Sequence, residues 1–437
     1  MTWGNNWLDT RLKNLFTSVR NGTWGDDPDG LNDVFCARGT DFDRTTNRIS
    51  PVKMPRRSVA RSARRDHQLS RGDLVIEKSG GSTDQPVGSV ALFDLDVPTV
   101  CSNFNARMKV SASVDSRFAC YLMNGLYWSG FTRQFIKQTT GIQNLDAESL
   151  LAEHCAIPPH DEQRRIADFL DTETARIDAI MSIRRQQASL SRQRFNQVLD
   201  GAVIGNPEIL REINYKGSTQ WGNGKVSRLF SVTPGYSFPS HGFVDREYGT
   251  PLLRGINVAP GRVDWSTETV AWDLETSKID QKFHLSCEDL VIGMDRPWIG
   301  SGARIALVQE FDLPALLLQR VARVRSHGLA STRYLRWVLS SSHFRYALEG
   351  ETTGVSVPHI SGEQIGSFTY LLPPRSDELQ LAALLGKYRN LHDEQSRIAN
   401  AQLVLLSERR QALITAAVTG QFDVTTAGRS TTPGGTA

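Results

Sequence analysis

Between positions 53 and 71 the chain carries Lys53, Arg56, Arg57, Arg61, Arg64, Arg65 and Arg71, with Asp66 the one acid among them. Cations at that density suit phosphate, since they neutralise a nucleic-acid backbone and supply affinity without sequence information. A solvated surface loop would show the same composition. Reading bases needs other groups, arginine forks on guanine and side-chain amides on adenine. Gln138, Gln143 and Asn144, and further along Arg296, Arg304 and His359, stand near expected loop tips and could supply them. Lys78 and Ser82 bound the loop Lys78-Ser79-Gly80-Gly81-Ser82, and Trp298 opens Trp298-Ile299-Gly300-Ser301-Gly302. Lys137 and Thr352 adjoin or begin the segments Thr139-Thr140-Gly141 and Thr352-Thr353-Gly354. With Arg254 these residues complete a candidate DNA-contacting set. Taken singly, each is also an ordinary surface residue. Arg38 and Arg254 both precede glycine at matched positions, which favours a shared structural or phosphate role over a base contact peculiar to one of them.

Chemistry of the bond-making kind has no recognisable machinery. There is no Asn-Pro-Pro-Tyr-like motif for methylating an adenine amino group, no phosphate-cradling lysine loop and no H-E-x-x-H or paired Cys/His spacing. Neither glycine loop has the dinucleotide pattern, so both read as turns. The nine histidines are scattered, and His154 and His160 have no matching ligands. The five cysteines are odd in number and never spaced C-x-x-C, which predicts reduced, mostly buried thiols. A net charge of +3 over 437 residues does not by itself demand a nucleic acid. No signal-peptide pattern opens the chain and no apolar run approaches a membrane span, so a cytoplasmic protein is expected.

The elements that would hold these residues occur twice. Pro158-Pro159-His160-Asp161-Glu162-Gln163 opens a helical stretch closing at Gly205, and Pro373-Pro374-Arg375-Ser376-Asp377-Glu378 opens another closing at Gly420, with the glycine 47 positions after the first proline in both. Arg38-Gly39 recurs as Arg254-Gly255, Asp73-Leu74-Val75-Ile76 as Asp289-Leu290-Val291-Ile292, and Tyr121-Leu122 as Tyr334-Leu335, at offsets of 216, 216 and 213 residues. A period this long is a duplicated module and not a solenoid repeat. The domains implied are 1–155 and 206–371 as globular parts, 156–205 and 372–420 as long helices, and 421–437 as a small, polar, disordered tail. The globular parts read as mixed α/β (α+β) with short strands, such as 74–76 and 290–292, and a shorter helix over 116–136 or 331–348.

In the long helices Ile166, Leu170, Ile177 and Ile180, and then Leu381, Leu384, Tyr388, Leu391, Ile398 and Leu405, alternate at three and four residues, with Gln395 and Gln402 in the second stripe. Sustained 3–4 spacing is a coiled-coil seam, and about 40 residues at 1.5 Å each span roughly 60 Å. The nearest partner for each helix is the other, packed antiparallel, which implies pseudo-two-fold symmetry. A zipper between chains is the alternative. Asp161 or Glu162, and Ser376 or Asp377, are expected caps.

The run Ile157 to Asp171 resembles the start of the central repeat helix of type I restriction–modification specificity subunits, and Glu408 to Gly420 resembles the end of their distal helix. The match departs at the second helix, where Asp377-Glu378 stands in place of the Glu-Gln pair. The resemblance implies a non-catalytic subunit whose two globular parts are target recognition domains, each reading half of an asymmetric bipartite double-stranded DNA site. It implies helices that set the gap and bind two modification (methyltransferase) subunits, with restriction subunits added. S-adenosylmethionine, ATP and Mg would belong to those partners. The competing readings are a self-sufficient DNA methyltransferase or nuclease, and a coiled-coil assembly protein that reads no DNA.

Overall fold

The two copies of Asp-Leu-Val-Ile become the central strands of two sheets. In a computed structural model, which describes residues 3, 7–138, 141–275, 278–349 and 359–424, the chain divides into two compact units. One comprises Met1–Arg185 with Asn400–Ala437, the other Gln186–Ala399. Candidate Thr352, most of both Thr-Thr-Gly segments, and positions 425–437 of the expected tail lie outside the described residues.

In the first unit the strand Leu74–Glu77 lies between Asn105–Val110 and Val90–Leu92 in a six-stranded sheet. Leu74 and Ile76 pack against Phe118 and Leu122 of the helix Ser116–Trp128, while Val75 faces Phe42, Ile49 and Leu69 on the other side. Side chains alternate across a strand, so a strand covered on both faces reads as an unbroken apolar run. Each such side chain fully withdrawn from water contributes about 1.5–3 kcal/mol. Asp73 accepts the Ser70 N–H at 2.8 Å and holds Arg107 at 2.7 Å.

The second unit repeats this in a four-stranded sheet, where Leu290–Gly293 lies between Val321–Ser326 and Ile305–Leu307. Leu290 and Ile292 face one apolar cluster and Val291 another. Asp289 accepts the Ser286 N–H at 2.8 Å and holds Arg325 at 2.6 Å. The repeated motif is therefore a buried strand whose first residue ties a turn to a neighbouring strand's arginine.

The short helices stop earlier than the sequence pattern predicts. The helix expected over 116–136 ends at Trp128; Gly130 turns the chain at φ 80°, and a 3-10 turn Phe131–Phe135 follows. The helix expected over 331–348 is two, Thr332–Ser340 and Ser342–Glu349. Ser341 between them is extended, and the Ser342 N–H is taken at 2.8 Å by Asp200 Oδ1 from the first long helix, a cap from far along the chain.

The long helices are His160–Val203 and Arg375–Val418, 44 residues each. In the first unit Ile166, Ala167 and Leu170 pack with Ile414, Ala417 and Val418. Gly125 meets the second long helix so closely that a Cβ there would lie 3.1 Å from Val418 Cγ2. In the second unit Phe195, Val198, Leu199 and Ala202 pack with Leu381, Ala382 and Leu385. Early residues of one helix meet late residues of the other in both units, so the pairing is antiparallel. The seam follows the expected stripe at Ile166, Leu170, Ile177 and Leu381 and departs from it further along each helix. Ile180, Leu391, Ile398 and Leu405 are 45%, 62%, 44% and 63% exposed, while Met181, His392, Ala399 and Arg410 turn inward. Past Tyr388 the inward residues His392 and Ala399 each come one residue after an exposed stripe residue, because small and polar side chains fill the seam there. Asp161 and Glu162 lie within the first turn and complement the helix dipole there without capping. Phe422, at the start of the stretch read as tail, lies 5.6 Å from Phe169, ring to ring.

Candidate nucleic-acid interface

The basic segment of the first unit is ordered structure. Arg56–Ser58 is the edge strand of a three-stranded sheet with Asp33–Ala37 and Thr99–Cys101, and Arg61–His67 is a short helix. Its cations divide into two groups. Arg57 lies 4.8 Å over the Trp24 ring and bonds Asp27 at 2.6 Å. Arg64 donates to the Asn32 carbonyl at 2.8 Å, and Arg71 to Asp96 at 2.7 Å. Arg57, which also donates to the Trp24 and Gly25 carbonyls, and Arg64 tie the segment to neighbouring backbone, while the Arg71–Asp96 pair is exposed. Lys53, Arg56, Arg61 and Arg65 are exposed and make no ion pair among the described residues. Arg61 and Arg65 are four apart on one helix, where like charges repel. An anion lying against them would relieve that.

Around the first glycine loop, Ser82 and Gln143 are committed to backbone. Ser82 closes a turn with Gln85, while Gln143 accepts the Val87 N–H and donates to the Ser82 carbonyl, both at 3.2 Å. Lys78 Nζ reaches Asn21 Oδ1 at 2.5 Å. Lys137 donates to Asp146 at 2.8 Å, and this bond leads the causes that push Asp146 down to about 2. Gln138 makes one long bond, 3.5 Å, to the Gly141 carbonyl.

In the second unit Arg304 is structural, since it donates to the carbonyls of Val258 and Asp295, and burial lowers its pKa. Arg254 starts a turn in which its N–H bonds Asn257 Oδ1 at 3.1 Å, with its guanidinium 3.7 Å from Glu268. Arg38 starts the matching turn, where its N–H bonds Asp41 Oδ2 at 2.9 Å, so the shared part is the backbone bond; its guanidinium also grips Asp41 through two bonds of 2.9 Å, which Arg254 does not repeat on Asn257. Trp298 is half-buried, 6.0 Å from Phe344. Arg296 is exposed at φ 46° and makes no ion pair among the described residues. His359 Nδ1 lies 2.6 Å from Asp295, which also accepts from Arg320 at 2.5 Å. Burial opposes ionisation of Asp295, but the bonds from Arg320 and His359 outweigh it and keep the carboxylate below its usual range.

The sequence offsets do not reveal that Asn144 and His359 occupy one position. The next residue donates its N–H to the glycine-loop strand in both units, Leu145 to the Lys78 carbonyl at 2.7 Å and Ile360 to that of Met294 at 2.9 Å. The residue after that caps a helix in both, Asp146 and Ser361.

No protein-family model matches the chain. It is 32% identical over 160 residues to the type I restriction enzyme EcoAI specificity subunit of Escherichia coli, covering 36% of this chain and 26% of that protein. It is 24% identical over 256 residues to the MjaVIII specificity subunit of Methanocaldococcus jannaschii, covering 58% and 59%. The EcoKI specificity subunit of E. coli K12 matches at 25% over 375 residues, 81% of this chain and 76% of that one. This chain is a relative of type I restriction enzyme specificity subunits. It spans less than two thirds of the first two of these relatives. The fold agrees: a chain from a structure concerned with complex assembly and conformational transition of the type I R-M system superposes with a TM-score of 0.72 at 16% identity, over 97% of this chain and all of that one. The HsdS subunit from Thermoanaerobacter tengcongensis superposes with a TM-score of 0.51 at 16% identity, over 96% and 98%. No helix among the described residues is long and apolar enough to cross a membrane.

Proposed function

We propose that this chain is the DNA-reading, non-catalytic subunit of a type I restriction–modification complex. Each unit reads one half of an asymmetric bipartite site, and the long helices set the gap between the halves. The observation carrying this is a scaffold repeated down to its hydrogen bonds, on which the outward polar residues differ between copies. Matching core strands with unlike faces suit two unlike half-sites. The exposed Lys53, Arg56, Arg61 and Arg65 supply phosphate contacts in the first unit.

The helices also offer partner surfaces. In the first unit Ile180, Ile183, Val404 and Leu405, and in the second Leu190, Leu391 and Ile398, are 44% to 63% exposed. Apolar side chains grouped on a helix surface mark interaction sites, and two modification subunits, with restriction subunits joined to them, are the partners this reading requires. S-adenosylmethionine, ATP and Mg reside on those partners. Methylome sequencing of cells with and without the gene is the test. A bipartite methylated motif that disappears with the gene supports the reading; an unchanged methylome, with no partner co-purifying, refutes it.

A further inference from the structure

Ser79 faces Asn144 across a strand pairing, and Asp295 faces His359 across an isolated bridge at the same place in the other unit. Ser79 and Asp295 each stand six residues after the aspartate of the repeated strand. The residue after each has left-handed backbone, Gly80 at φ 109° and Arg296 at φ 46°. Asn144 and His359 are each followed by the buried residue and the helix cap described above. The backbone at these positions is thus duplicated, while the side chains change from hydroxyl and amide to carboxylate and imidazole.

Both pairs are internally bonded and leave one face open. Ser79 Oγ donates to Asn144 Oδ1 at 2.7 Å, and Asn144 is exposed. His359 is half exposed, and its Nδ1 is occupied by Asp295, so Nε2 is the outward atom. Asp295 is itself fixed by Arg320. Cations flank each pair. Lys137 lies directly across the strand pairing from Asn144 and Lys78 precedes Ser79, while Arg296 and Arg320 stand beside Asp295. A positioned polar group between cations has the layout base reading needs, with phosphates held at the sides and one hydrogen-bonding edge presented between them.

We propose that the facing pairs Ser79–Asn144 and Asp295–His359 are the matched positions at which the two units discriminate bases. The inference rests on the DNA-reading function proposed above. Beyond its bonds to Ser79 and, at 3.4 Å, to the Ile142 carbonyl, the Asn144 amide keeps one N–H and one oxygen lone pair, an edge suited to adenine. His359, aimed by Asp295, presents a single ring nitrogen to a base edge. Asp295 is a positioning residue, acting through the imidazole.

The test exchanges one pair for the other within the full complex. The double substitution Asp295→Ser with His359→Asn gives the second unit the first unit's pair, and the methylome of cells expressing the whole system is sequenced. The expected result is a change of about tenfold in preference at one base pair of one half-site, the size of a good bidentate contact, with the other half unchanged. A complex that assembles and methylates the wild-type motif overturns the inference and leaves the proposed function standing. Absence of any bipartite motif in the wild type overturns the proposed function itself. Should the exchanged chain fail to assemble, the reciprocal exchange Ser79→Asp with Asn144→His decides: altered preference in the opposite half supports the inference, and an unaltered motif ends it.

Discussion

Gln163 and Glu378 hold the same hydrogen bond in the two units. Each lies in the first turn of a long helix, is 1% exposed, and accepts the N–H of the residue capping the helix beside it, Asp115 for Gln163 at 2.9 Å and Ser331 for Glu378. The amide of Gln163 also donates to the Pro158 carbonyl at 2.9 Å. An ionised Glu378 has no proton for such a bond. The change from Gln163 in the first helix to Glu378 in the second thus keeps the acceptor and loses the donor.

Burial raises the pKa of Glu378, with the Ser331 N–H and Arg375 opposing. A carboxyl raised in the folded state favours folding below its unfolded value and loses that advantage as pH rises through its folded value. Glu378→Gln restores the donor and removes the buried charge. It should stabilise the second unit at pH 7 by about 1 kcal/mol, with the gain vanishing below pH 4.5, the ordinary glutamate value. Thermal unfolding of both chains from pH 4 to 8 checks this. A lower midpoint for the variant at pH 7 would contradict it.

The paired arginines of the repeat should differ in what they stabilise. Arg107 and Asp73 are 13% and 4% exposed at their side chains, while Arg325 and Asp289 are 38% and 2%. Removing one partner of a buried pair strands the other charge at about 3–5 kcal/mol, and solvent reduces this where it can enter. Arg107→Met should therefore cost about 3 kcal/mol and Arg325→Met visibly less. Hydrogen exchange along Leu74–Glu77 and Leu290–Gly293 reports each unit separately.

The duplication, the long helices and the two central strands were legible in the sequence because each is a local pattern of many residues. The seam's register was legible at Ile166, Leu170, Ile177 and Leu381 but not beyond them, where Ile180, Leu391, Ile398 and Leu405 face outward and His392, Ala399 and Arg410 are buried instead. Nor was the break at Ser341, which depends on Asp200 far along the chain. Among the candidate contacts, charge was legible but direction was not. Arg57 and Arg64 turn inward to Asp27 and Asn32, while Arg56, Arg61 and Arg65 remain free to meet a phosphate. The matching of Asn144 with His359 rests on backbone bonds alone, since their neighbours in sequence differ.

That division of the arginines predicts opposite phenotypes. Arg56→Ala, Arg61→Ala and Arg65→Ala should leave folding intact, weaken DNA binding by the assembled complex at every sequence, and each lower the slope of log affinity against log salt by about 0.9. Arg57→Ala should instead lower the thermal midpoint. Titrations between 50 and 200 mM salt measure the slope, and an unchanged slope in the triple variant would remove these residues from the phosphate contacts.

The second unit's helix seam should weaken in mild acid. His392 stacks on Phe195 at 5.7 Å, and its Nδ1 lies 3.0 Å from Ser191 Oγ. Because Ser191 Oγ donates to Gln395 at 2.7 Å, it accepts from the ring. Burial lowers the pKa of His392 from its ordinary 6.5, Asp393 opposes, and Arg389 and Arg192 add to the lowering. A histidine depressed on folding contributes stability above its unfolded value and loses it as pH falls through the folded one. The thermal midpoint of the second unit should therefore decline as pH drops below about 6.5, the unperturbed histidine value. His392→Gln keeps a donor for Ser191 without a titratable ring, so it should flatten this decline. Equal pH profiles for the two chains would show that the seam is indifferent to the charge on this ring.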